Sequence, residues 1–234
     1  MHTFSKHVLE RLKAARNADK AAWLEKYVKH DIKSLGVGIP EIREIVKSSE
    51  NEFLLTQKSV PLQIQALNVL MEQVYTESKL ASIIYLQLYW KKSDNRTILE
   101  LISGWFENRW ISDWNVCDWL CVRLISPLID KDPDNTIEEL SKWNKDKYLW
   151  KARASLVPFA ESKSIGRHIK TILSFSELLI KREERFCKTA VGWVMRQYSK
   201  GDIEFVAGFL EKHKEWLTKE VITNATKHFK KNKM

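Results

Sequence analysis

Glycine and proline are scarce, with 7 and 5 among 234 residues. Sandwiches and barrels need such residues for their many tight turns, so this scarcity excludes an all-β fold. No segment approaches the roughly 18 uninterrupted apolar residues of a membrane-spanning helix, so no membrane partner is expected. The start, MHTFSKHVLERLKAAR, lacks an apolar core followed by a small-residue cleavage site. A secretory leader is therefore not expected, and the protein is expected in the cytoplasm. Only three cysteines occur, Cys117, Cys121 and Cys187. An odd number without four-ligand spacing predicts reduced, mostly buried thiols rather than a disulfide framework or a structural zinc site.

What the chain does contain is helix-forming residues, cationic charge and tryptophan. Leu, Lys, Glu, Ala and Ile recur at helical spacing. The 39 Lys and Arg exceed the 30 Asp and Glu, leaving a net charge of +9 that attracts polyanions at long range. Lysine-rich surfaces also serve solubility alone, so charge by itself leaves both readings open. Several of the ten tryptophans must be core, because an indole buries more apolar area than any other side chain; those beside charge on polar faces need another explanation.

Apolar period and breakers predict helices at roughly 3–15, 18–30, 39–48, 60–75, 77–91, 93–108, 113–128, 134–145, 147–161, 165–181, 184–199, 202–213 and 216–230. Pro40 and Pro61 sit where a first helical turn accepts proline, and Gly36, Gly38 and Gly201 punctuate turns. Short amphipathic helices with brief links cannot each bury a face alone. They must stack as antiparallel pairs, which predicts a right-handed, all-α solenoid of HEAT-like pairs with a basic concave groove. Two helices with their turns occupy about 35–45 residues, the HEAT period. No low-complexity linker divides the chain, so one domain over 1–234 is expected, with a frayed tail from 226.

Three helices carry residues that packing alone does not explain. Val116, Leu120 and Leu124 form an expected core stripe, while Trp114 and Asp118, four apart, project from nearly the opposite side. In YLWKARASLVPF, Leu149, Ala152, Leu156 and Phe159 make a buried stripe that leaves Arg153 beside Trp150. In ERFCKTAVGWVMRQYSK, Phe186, Ala190 and Val194 point inward, and Thr189, Trp193, Arg196 and Lys200 form a polar stripe holding an indole. Asp118 to Arg153 spans 35 positions and Arg153 to Trp193 spans 40, each near one repeat. Such residues occupy equivalent helices, so Trp114, Asp118, Arg153 and Trp193 are expected on one face. A structural reading stands beside this one: an Asp118–Arg153 salt bridge and two core indoles.

Four blocks, YVKHDIKSLGVGIPEIREIVK, DWNVCDWL, LWKARASL and FCKTAVGWVMRQYSK, resemble the DNA alkylation repair family of HEAT-like DNA glycosylases, the AlkD family. The last block, with its K-x-A-x-G-W-x-x-R-x-Y pattern, is the most specific. The resemblance implies that Asp118 matches the catalytic aspartate, Arg153 the arginine near it, and Trp114, Trp193 and Tyr27 the aromatics that contact the lesion-bearing nucleotide. It also implies monofunctional release of N3- and N7-alkylated purines from double-stranded DNA without deep base flipping, by a monomer. A cationic purine is already a good leaving group, and its departure leaves an oxocarbenium-like sugar that an ionised Asp118 stabilises while positioning or deprotonating water. Arg153 would hold a phosphate or orient Asp118, and Lys151, Lys188, Arg196 and Lys200 would contact DNA. No metal, cofactor or Schiff-base lysine is expected. The sequence departs from the family at Asp113, which would set an added carboxylate near the DNA face, at Trp119, and at the Gly36–Gly38 turn. Two alternatives are a non-catalytic protein of this fold binding branched or distorted DNA and a helical scaffold for an acidic protein.

Overall fold

The computed structural model describes residues 3–29 and 32–229. Among them the regular structure is helical, broken only by an isolated parallel bridge between Lys33 and Tyr75. None of these helices is long and apolar enough to cross a membrane. The chain divides into two compact units, Met1–Trp119 and Leu120–Met234.

The first unit comprises α1 (Thr3–Ala14), α2 (Ala18–Val28), α3 (Ile39–Phe53), α4 (Val60–Met71), α5 (Thr76–Tyr89), α6 (Asn95–Glu107) and all but the last residue of α7 (Trp114–Leu120). Local chemistry sets their ends. The Asn17 and Asp94 side chains accept the Lys20 and Thr97 N–H groups at the starts of α2 and α6. Pro40 and Pro61 occupy the first turns of α3 and α4, as expected, where a missing N–H leaves no helical bond unmade. Helix α1 packs on α3, α3 on α5 and α4 on α5. The shared core includes Phe4, Val8 and Leu12 of α1, Ile42 and Val46 of α3, and Ile83 and Ile84 of α5, all fully buried. Each such side chain contributes roughly 1.5–3 kcal/mol through burial.

The link between α2 and α3 is fixed by a carboxylate. Glu77, at the start of α5 and 1% exposed, accepts the backbone N–H groups of Leu35 and Gly36 at 2.8 Å each and the Ser34 hydroxyl at 2.6 Å. Gly36 has φ +74°, and a Cβ there would lie 2.1 Å from the Asn17 carbonyl oxygen. Only glycine fits this passage.

The second unit begins with a π-helical turn, Cys121–Ile125, followed by α8 (Ser126–Lys131), α9 (Pro133–Asn144), α10 (Leu149–Leu156), α11 (Ile169–Leu179), α12 (Arg185–Tyr198), α13 (Ile203–Lys212) and α14 (Lys219–Ala225). The helix expected over 113–128 is thus not uniform. Pro127 lacks an N–H and crowds the carbonyl four residues before it, and the chain widens there, with Ser126 N–H donating to the Cys121 carbonyl. Likewise the segment expected as one helix over 147–161 ends as α10 and continues as a 3-10 turn, Val157–Glu161, around Pro158. Helix α10 packs on α9, α11 and α12, and α12 packs on α14. Helices α10, α12 and α14 thus stack in succession, the HEAT-like pattern expected. Gly192 permits the last of these contacts, since a Cβ there would already lie 3.2 Å from the Val221 backbone. Of the tail expected to fray, residues 226–229 form turns, and 230–234 lie outside the described residues.

Candidate nucleic-acid interface

Helix α7 is set by the residue before it. Asp113 is 3% exposed, and its Oδ1 accepts the Val116 N–H at 2.9 Å, capping the helix. This corrects the expectation of an extra carboxylate near the DNA face: capping turns Asp113 inward. Its negative charge acts on Lys79, whose ammonium donates to the carbonyls of Met71 at 3.0 Å and Trp110 at 2.6 Å. Burial outweighs that attraction and brings the Lys79 pKa down to about 8.

From this start, Val116, Cys117 and Leu120 point into the core and are fully buried. Trp114 and Asp118 lie half-buried, one turn apart, on the other side of the helix. The Trp114 indole N–H donates to the Val28 carbonyl at 3.0 Å, one of the last carbonyls of α2. The Tyr27 ring meets the Trp114 ring edge-on at 5.5 Å. Tyr27 and Trp114 are thus in direct contact within the first unit, linking the end of α2 to the helix that carries Asp118.

Sequence reasoning passed over Trp23. One turn before Tyr27 on α2, it stacks on that ring at 5.1 Å with only 7° between planes. Trp23 is 63% exposed and Tyr27 56%, so the outer face of this aromatic pair lies in solvent. The i, i+4 spacing of the two aromatics was a readable signal.

In the second unit the expected exposed face of α10 does not exist. Every residue from Trp150 to Leu156 is buried, because α9, α11 and α12 surround the helix. Trp150 packs against Phe186 at 4.9 Å. Arg153, 4% exposed, donates to the Phe186 carbonyl at 2.6 Å and to the Thr189 hydroxyl at 3.2 Å, tying α10 to the first turn of α12. Lys151, also buried, faces Asp146 at 3.7 Å. Phe186, expected to point inward, is half-buried.

Helix α12 matches its expected pattern better. Ala190 and Val194 are fully buried, while Thr189, Trp193 and Arg196 are half-buried and Lys200, just beyond the helix, is exposed. The Trp193 indole N–H is buried without an acceptor among the described residues. Lys188 donates to the Trp216 carbonyl at 2.8 Å. Lys200 borders an open cavity of about 660 Å³ that Ser162, Tyr198 and Asp202 also line. Cys117, Cys121 and Cys187 are buried thiols outside any disulfide, as expected, and burial pushes Cys187 up to about 11. Among the described residues no group of three His, Cys, Asp or Glu side chains is placed to hold a metal ion.

The sequence matches the family described as DNA alkylation repair enzyme over residues 8–229. No curated protein matches it significantly. Among solved structures, one described as a predicted DNA alkylation repair enzyme from Enterococcus faecalis superposes with a TM-score of 0.77 at 15% identity, covering 94% of this chain and 98% of that one. The Pseudomonas fluorescens alkylpurine DNA glycosylase AlkC, bound to DNA containing an abasic site analog, superposes with a TM-score of 0.63 at 13% identity. That match covers 97% of this chain and 62% of AlkC.

Proposed function

The chain belongs to the DNA alkylation repair enzyme family, and on that premise we propose that it is a monofunctional glycosylase releasing N3- and N7-alkylated purines from duplex DNA. The observation that carries this reading is the placement of Asp118. It shares the outer side of α7 with Trp114, whose ring is locked to α2 and edge-on to Tyr27. A carboxylate beside aromatic faces suits a reaction in which positive charge passes from the base to the sugar.

The alkylated purine leaves without protonation, because it is already cationic. As the glycosidic bond breaks, the Asp118 carboxylate offsets the charge developing on the sugar and accepts a proton from the attacking water. Tyr27 and Trp114 present π faces and edges to the cationic nucleotide. Arg153 acts as a positioning residue: its guanidinium holds the first turn of α12, the helix that bears Trp193. Exposed Lys200 and half-buried Arg196 supply the phosphate contacts, whereas Lys151 is buried and Lys188 donates to the Trp216 carbonyl. Support for a DNA partner comes from the excess of cationic residues and from AlkC, whose structure holds DNA.

Release of free base from a duplex containing N7-methylguanine tests the proposal. The expected products are 7-methylguanine and an abasic strand that breaks only on alkaline treatment. A duplex left intact at enzyme excess would leave a DNA-binding protein without this activity.

A further inference from the structure

We infer that Trp23 is a further DNA-contacting residue, a stacking platform that extends the candidate site one helical turn along α2. The inference rests on the proposed DNA partner and concerns a residue outside the four sequence blocks that resemble the family. An indole that is 63% exposed forgoes much of the stabilisation its burial would give, and its parallel stack on Tyr27 uses only one face. The other face is flat, electron-rich and open to solvent. Through Tyr27 it is continuous with Trp114, so three aromatic rings run outward from the helix of Asp118.

The charge around it favours a polyanion. Lys20, Trp23 and Tyr27 fall at i, i+3 and i+7 on α2, all exposed, and Lys26 is exposed beside them, with one exposed carboxylate, Asp19, a turn before Trp23. Neither lysine has an ion-pair partner among the described residues. A cationic stripe interleaved with open aromatic faces is the arrangement that holds nucleic acid, with lysines on phosphates and rings on bases or sugars. An apolar protein partner would leave these lysines without acceptors. The ring lies one turn beyond Tyr27, so its occupant is a nucleotide flanking the lesion rather than the lesion itself.

The test uses the full chain and a labelled duplex carrying a stable abasic-site analogue, which cannot be turned over, with 2-aminopurine in the flanking position. Trp23→Leu keeps apolar bulk but removes the π face. It should raise Kd by about tenfold at every salt concentration, leaving the slope of log Kd against log salt unchanged. Trp23→Phe should stay within about threefold of the original affinity. Quenching of 2-aminopurine on binding should diminish with Trp23→Leu, which a purely structural role would not cause. An unchanged Kd for Trp23→Leu overturns the inference, and so does a loss that comes with a shallower salt slope. Base release by the unmodified protein is a separate measurement, so failure of the enzymatic reading would not be mistaken for failure of this one.

Discussion

In the first unit the aromatic residues of the candidate site lie toward solvent, Trp23 and Tyr27 more than half exposed and Trp114 half-buried, held by one indole hydrogen bond and two ring contacts. In the second, residues of the same kinds on α10, Trp150, Lys151 and Arg153, are enclosed by neighbouring helices, while Trp193 and Arg196 of α12 are half-buried. The first unit keeps its surface array in place with a backbone passage clamped by Glu77; the second holds its surface helix with a buried guanidinium. Similar side chains thus lie open to solvent in one place and are enclosed in another, and the packing of neighbouring helices decides which.

The sharpest way to break this contrast is at the first unit's clamp. Gly36→Ala places a Cβ against the Asn17 carbonyl in a left-handed conformation, and it should destabilise the fold by about 4 kcal/mol. Thermal unfolding should fall by roughly 8–16 °C. A change of under two degrees would mean that the passage is not fixed as described.

Next comes the buried anchor. Arg153→Met removes the buried guanidinium that donates to the Phe186 carbonyl and the Thr189 hydroxyl and should cost about 3 kcal/mol, whereas Arg196→Met on α12 should stay within about 0.5 kcal/mol. Calorimetry on both variants checks the difference. Equal effects would erase the distinction between scaffold and surface.

A smaller effect separates two lysines that sequence alone treats alike. Lys200→Gln should weaken DNA binding a few-fold and reduce the salt slope by about one ion, while Lys151→Gln should leave that slope unchanged and lower stability instead. Titrations at several salt concentrations distinguish them.

The all-α class, the stacking of helix pairs and the buried stripes of α7 and α12 were legible, because they follow from the 3.6-residue apolar period. So was the pairing of Trp114 with Asp118, four residues apart. Depth was not. Period assigns one apolar face to α10, but a helix surrounded by three others has no outer face, so Lys151 and Arg153 read as surface cations. Asp113 read as a surface carboxylate because the helix was begun one residue early; as the residue before α7 it is a capping side chain. The π turn was missed: Pro127, whose ring a regular helix interior does not accommodate, stands inside the single helix expected over 113–128. Trp23 escaped notice because a single exposed aromatic on a polar helix resembles an incidental surface residue until its ring is seen parallel to Tyr27.

The most direct test of the account is single-turnover base release by Asp118→Asn. The substitution preserves size and hydrogen-bonding shape but cannot offset positive charge on the sugar. Base release from N7-methylguanine DNA should fall about a hundredfold, equivalent to roughly 3 kcal/mol, with DNA affinity and thermal unfolding near those of the unmodified protein. Release at an unchanged rate by the folded variant would contradict the assignment of Asp118 as the catalytic carboxylate.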